Sequence, residues 1–119
     1  MFTDREGFSR FRDEAIVLDR GDPQALLSQA LACRALVFRQ SPVGFRSDFH
    51  CTTDPQWCFI LQGCMEIGLR DGSSRRFPAG TFFYSTDTLP DGQAFDPSRH
   101  GHWSRQLGPS PLVTVFVRT

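Results

Sequence analysis

The sequence predicts an all-β domain, a small sandwich or barrel, with one short helix near its front. Two observations carry this. From Ala35 onward, runs rich in Val, Phe, Ile and Leu are broken by Gly, Pro or Asp about every ten residues, the spacing of short antiparallel strands. Within them Met65, Ile67 and Leu69 alternate with Glu66, Gly68 and Arg70, the pattern of a half-buried strand, and Asp71-Gly72 follows as a two-residue hairpin turn.

The elements follow in order. Residues 1–33 read as an N-terminal extension and 34–119 as the β domain. In the extension, the apolar run Ala15-Ile16-Val17-Leu18 suits an edge strand or a dimer arm. Next comes Asp22-Pro23-Gln24-Ala25-Leu26-Leu27-Ser28-Gln29-Ala30-Leu31-Ala32. Asp22 suits a helix N-cap and Pro23 the first helical position, while Leu27 and Leu31 share a helical face. This predicts one short helix. Strands are expected over 35–40, 47–51, 57–62, 64–70, 73–77, 81–85, 102–107 and 112–118. The last carries Val113, Val115 and Val117 on one face and Phe116 on the other. Residues 87–101 form a connection long enough to suggest function, such as a lid that sheds water.

Composition sets bounds. A chain of 119 residues is one domain's worth and can fold without metal or disulfide staples. All 13 basic residues are arginine, and they balance 13 acidic ones. That argues against a nucleic-acid or anionic-membrane binder, which needs a basic surplus. The absence of lysine excludes Schiff-base chemistry and a P-loop. No apolar stretch reaches membrane-spanning length, and residues 1–12 lack the apolar core of a signal peptide. Cys33, Cys51, Cys58 and Cys64 form no C-x-x-C pair. Reduced thiols in the cytoplasm are therefore expected.

Chemistry concentrates on three histidines, His50, His100 and His102. His50 lies in the pattern Gly44-x5-His50-x-Thr52-x3-Gln56-x6-Gly63. Residues two apart on a strand face the same way, so His50 and Thr52 point to one side. This pattern resembles the first motif of the cupin superfamily, with Thr52 where a second His stands and Gln56 where a Glu stands. A second motif begins at Gly80, places His102 as its His and Gln106 in its Asn position, and has Thr86 in place of its Pro.

The resemblance implies a double-stranded β-helix, a jelly-roll-like barrel, with a small-molecule pocket at its centre. It also implies a divalent metal (Fe, Mn, Ni, Cu or Zn), here on His50, Gln56 and His102, and a small-molecule enzyme of dioxygenase or isomerase kind. The missing Glu and second His leave a metal-free, non-catalytic ligand-binding or structural cupin as the alternative. His100 is a candidate additional ligand. Thr52, Cys58, Tyr84, His100 and Gln106 are candidate pocket residues. Cys58 shares the parity of Gln56, although core packing is its simplest role. Tyr84 is the only tyrosine, and metal-free cupin-fold sugar epimerases pair a His with a Tyr, so His50 with Tyr84 is a further candidate pair. Trp57, Phe59, Phe82 and Trp103 read as core or interface aromatics. The resemblance further implies a homodimer formed through edge strands or N-terminal arms.

Overall fold

The computed structural model describes residues 1–119. It contains eleven strands and no helix: β1 (Phe2–Thr3), β2 (Ser9–Arg10), β3 (Arg20–Asp22), β4 (Ala25–Leu27), β5 (Ala35–Ser41), β6 (Gln56–Gln62), β7 (Cys64–Gly68), β8 (Ser74–Pro78), β9 (Phe82–Ser85), β10 (Trp103–Leu107) and β11 (Leu112–Arg118). No helix is long and apolar enough to cross a membrane.

Two sheets make the body. One is four-stranded, in the order β5-β11-β6-β9, and the other three-stranded, in the order β10-β7-β8. The core cluster joins them: Cys58 and Ile60 from β6, Leu112 from β11, and Met65 and Ile67 from β7. Because its members come from both sheets, the two inner faces must oppose each other. Phe77, Phe83 and Phe116 fill the space around the cluster. The chain repeatedly crosses between the sheets. At one crossing, from β6 to β7, Gly63 takes a φ of 77° and an added Cβ would stand 2.9 Å from the Pro111 carbonyl oxygen. A side chain there would be strained and crowded.

The expected strands are present with small shifts, except 47–51. That segment has only isolated bridges, Arg46 to Arg105 and His50 to His102. It runs along the free edge of β10, tied by Ser47 N–H to Ser104 O (2.8 Å) and Gln106 N–H to Phe45 O (2.9 Å). Pro42 and Gly44, just before it, and Pro55, just after, limit continuous pairing. The β7–β8 hairpin forms as expected, but its loop is three residues rather than two: Leu69 N–H donates to Ser73 O at 2.9 Å, with Arg70, Asp71 and Gly72 between.

The predicted helix over 22–32 is absent. Its first half is a hairpin, β3 paired with β4, and residues 28–34 have no helix or strand. The Asp22 carboxylate still accepts two backbone N–H bonds, from Gln24 (2.8 Å) and Ala25 (3.1 Å), but these close a turn instead of capping a helix. Asp-Pro suits both structures. A short helix needs packing of its apolar face to persist, and Leu26, Leu27 and Leu31 are all exposed. The run Ala15-Ile16-Val17-Leu18 forms no strand and is exposed. The arm flanks Trp57, Phe59 and Phe82 on the outer face of the four-stranded sheet, and the radius of gyration is 15.4 Å, against about 13.5 Å for a compact domain of this length.

The first residues belong to the body. Phe2 bridges Thr86 in parallel, Thr86 N–H donates to Met1 O at 2.9 Å, and Met1 and Phe11 pack on the core.

Candidate functional site

A cavity of about 360 Å³ opens between the two sheets, within the usual size range of small-molecule sites. His50, Thr52, Gln56 and His102 all line it. The sequence spacing therefore corresponds to a shared location. The register explains how. Gln56 is at the start of β6, on the inward parity of Cys58 and Ile60. His50 and His102 bridge each other through both backbone bonds, His50 N–H to His102 O (2.9 Å) and His102 N–H to His50 O (3.0 Å). Gly101 permits this approach: its φ is 84°, and an added Cβ would lie 2.6 Å from the His50 carbonyl oxygen. The two imidazole centres stand 4.6 Å apart.

Each ring has its Nδ1 engaged. His50 Nδ1 lies 2.9 Å from the Asp48 carbonyl oxygen, which only accepts, so Nδ1 carries the hydrogen. His102 Nδ1 donates to Asp87 Oδ2 at 2.7 Å. Neither Nε2 makes a hydrogen bond, and it is the atom that carries the lone pair whenever the ring is neutral. His102 is buried, whereas His50 is exposed at the rim. Even so, crowding of the His50 ring lowers its pKa below the ordinary imidazole value, outweighing the Asp48 hydrogen bond, and the neighbouring His102 and Arg39 add to the lowering.

Asp87 is the functional residue that sequence reasoning missed; it entered only as the start of a loop. It is fully buried. Its carboxylate accepts from Thr3 Oγ1 (2.7 Å), Ser9 Oγ (2.6 Å) and His102, and its carbonyl accepts from Thr52 N–H (2.8 Å). Burial alone would raise its pKa. The hydrogen bonds from His102, Ser9 and Thr3 overcome that and hold it below the ordinary carboxylate value. The sequence signal available was its parity: Ser85 and Asp87 are both buried, continuing the inward face of β9.

The remaining wall is apolar and cationic. Met65, Ile67, Phe83 and Phe116 supply the apolar part. Arg39 on β5 and Arg118 on β11 supply two guanidiniums, and no carboxylate lines the cavity. Arg118 Nη1 reaches Asp54 at 3.4 Å, but its Nε is buried without a partner. Such a group costs on the order of 1–3 kcal/mol.

Four of the expected pocket residues do not line this cavity. Cys58 points inward but lies deeper, fully buried in the core, and burial pushes its thiol up to about 12. Cys51, which does line the cavity, is likewise pushed up to about 11 by burial, so neither is a ready thiolate. Tyr84 is on the opposite parity of β9, its ring 4.8 Å from Trp57 and its hydroxyl 2.8 Å from Thr119 Oγ1, so it forms no pair with His50. Gln106 is a structural latch. Its Oε1 accepts from Gly44 N–H (2.9 Å), and its Nε2 donates to the carbonyls of Leu107, Gly108 and Ser110. His100 is buried elsewhere, its Nδ1 accepting from Asp96 N–H at 2.9 Å. The positive φ of Gly101 breaks the alternation that would have put it beside His102. No residue from 88 to 101 lines the cavity, so the long connection is not a lid over it. Trp57, Phe59, Phe82 and Trp103 are also outside it.

The donor set admits a metal in part. A metal-binding histidine characteristically donates its other N–H to a carboxylate or carbonyl, as both rings do here. Gln56 supplies a neutral amide oxygen as third donor. No cluster of three His, Cys, Asp or Glu side chains is present, so several coordination positions would remain open. Imidazole donors suit Zn, Cu, Ni and Fe better than harder cations.

The sequence matches no protein-family model and no curated protein.

Proposed function

We propose that this protein is a small cupin that binds a small molecule between its two sheets, with His50 and His102 at the reactive end of the cavity. One observation carries the reading: two imidazoles share the cavity, both held through Nδ1 and both presenting a bare Nε2. The crossing of successive strands between facing sheets, and the order of the His50 and His102 motifs, support the jelly-roll assignment.

His50, His102 and Gln56 would hold the divalent metal. When bound, that metal supplies a Lewis-acid or redox centre. The chain's own contribution is orientation and exclusion of water. Asp87 fixes the His102 ring and the Asp48 carbonyl fixes that of His50. Thr52 stands where the family pattern has a second His, but its hydroxyl is committed to Ser85 Oγ at 2.7 Å. Met65, Ile67 and Phe83 keep the inner wall dry, which strengthens polar contacts made there.

The test is metal content by elemental mass spectrometry, on untagged protein purified without chelators, beside a His50→Ala/His102→Ala variant whose fold is checked by circular dichroism. Near-stoichiometric Fe, Mn, Ni, Cu or Zn, lost in the folded variant, is the expected result. A native protein that takes up no metal after soaking overturns the metal-dependent form and leaves the metal-free ligand-binding cupin. The expected homodimer belongs to the same proposal. Its surfaces are the exposed arm with Ile16, Val17 and Leu18, and the apolar outer face of the four-stranded sheet with Leu36, Leu61 and Phe82.

A further inference from the structure

The structure assigns the cavity to a carboxylate-bearing small molecule with an apolar body, its carboxylate taken by Arg39 or Arg118. This rests on the reading of the cavity as the ligand site and adds the chemical class of the ligand. Arg39 is half-buried in the cavity wall. It forms no ion pair and no side-chain hydrogen bond; its guanidinium is stacked on the Phe45 ring at 4.6 Å. Held over the ring without a hydrogen bond or ion pair, the guanidinium keeps its N–H groups free for a bidentate acceptor. Arg118 lines the same cavity and leaves its buried Nε without an acceptor. No carboxylate lines the cavity: Asp87 sits behind His102 and Asp54 takes only one Nη of Arg118, so Arg39 has no anion and Arg118 keeps an unpaired Nε.

Register places the two cations at opposite ends. Arg39 faces Thr114 on β11, and Arg118 lies four residues further along that strand, roughly 13 Å away along the backbone. Val37 and Phe116 form the cross-strand pair between them. A ligand anchored at either end therefore lays its body on Val37, Phe116 and Phe83. An inorganic anion would satisfy the guanidiniums but leave this apolar floor wet. A neutral apolar molecule would do the reverse.

The experiment titrates full-length protein with acetate, benzoate and phenylacetate, with the matching amides, and with inorganic phosphate. Binding is read by calorimetry and by the imidazole proton resonances of His50 and His102. The expected result is saturable binding of an aryl carboxylate that shifts both rings, about tenfold or more weaker for its amide and in Arg39→Gln or Arg118→Gln. Arg20→Gln, on the exposed arm, binds as the native protein does. Equal affinity for acid and amide, unchanged affinity in both cavity variants, phosphate binding without aryl carboxylate binding, or no saturable carboxylate binding each overturns the inference. Carboxylate binding lost in His50→Ala but retained in both arginine variants overturns this inference and leaves the ligand-site reading standing.

Discussion

The two sheets treat their polar groups in opposite ways. On the three-stranded sheet and the segment along its edge, His102, His50 and Glu66 are each anchored by a partner within the chain. His102 has Asp87, His50 has the Asp48 carbonyl, and on the outer face Glu66 of β7 is flanked by Arg105 of β10 and Arg76 of β8, with Ser74 donating to it at 2.8 Å. On the four-stranded sheet, the inner face presents Arg39 without an acceptor and Arg118 with an orphaned Nε, and the outer face exposes Leu36, Leu61 and Phe82. One sheet holds the reactive groups rigid. The other leaves guanidinium groups and apolar surface free, as the proposed ligand and the proposed dimer require.

The largest expected effect comes from breaking the satisfied side. Asp87→Ala leaves the Thr3 and Ser9 hydroxyls and the His102 N–H without their acceptor, and should cost about 3 kcal/mol, or about 10 °C in Tm, by thermal denaturation. A related pH effect follows. The Asp87 pKa is lower folded than unfolded, so its stabilisation is full above about pH 4 and is lost as pH falls through the folded value. Asp87→Asn should flatten that acid limb of the stability curve. Gly101→Ala is next. A side chain at a φ of 84°, meeting the His50 carbonyl at 2.6 Å, should cost about 2 kcal/mol and separate the two imidazoles. Two-dimensional NMR of the ring protons would register the separation.

Changes on the unsatisfied side should be gentler. Leu36→Glu with Leu61→Glu places charge on the exposed apolar face, and should shift the mass in solution from dimer to monomer by light scattering while each protomer stays folded. An unchanged monomeric mass in the native protein would remove the dimer. Arg39→Gln should lower the unfolding free energy by no more than about 1 kcal/mol, because the guanidinium has no ion pair or hydrogen bond within the chain to lose, only its contact with the Phe45 ring. A large loss would mean that Arg39 serves the fold and not a ligand.

The strands were legible from local polarity. β7 alternates in residue type, Met65 and Ile67 turned to the core and Glu66 to its arginines although it is buried as well, while β6 reads Trp57-Cys58-Phe59-Ile60-Leu61, apolar on both faces. Such a run marks a strand that needs cover on both sides. Parity put His50 and Thr52 on one side, and the resemblance of the motif spacing added Gln56 and His102; all four line the cavity. Parity tells which side a residue faces but not how deep it lies, which is why Cys58 is in the core. It fails across a positive-φ glycine, which is why His100 turned away. For Asp87, parity offered only an inward direction; its partners Thr3, Ser9 and His102 are brought to it by the tertiary fold. The Asp22-Pro23 signal was real but ambiguous, and with no packing to favour a helix the turn prevailed.

The position of β11 has a kinetic consequence. It is the last strand in the chain, yet it lies between β5 and β6, and β5 has no other sheet neighbour. Without residues 112–118, β5 has no strand to pair with, and Arg39 has no cross-strand neighbour. Pairing so distant in sequence forms slowly. The guanidinium end of the cavity therefore depends on this long-range pairing, while the imidazole end is held by the His50–His102 bridge.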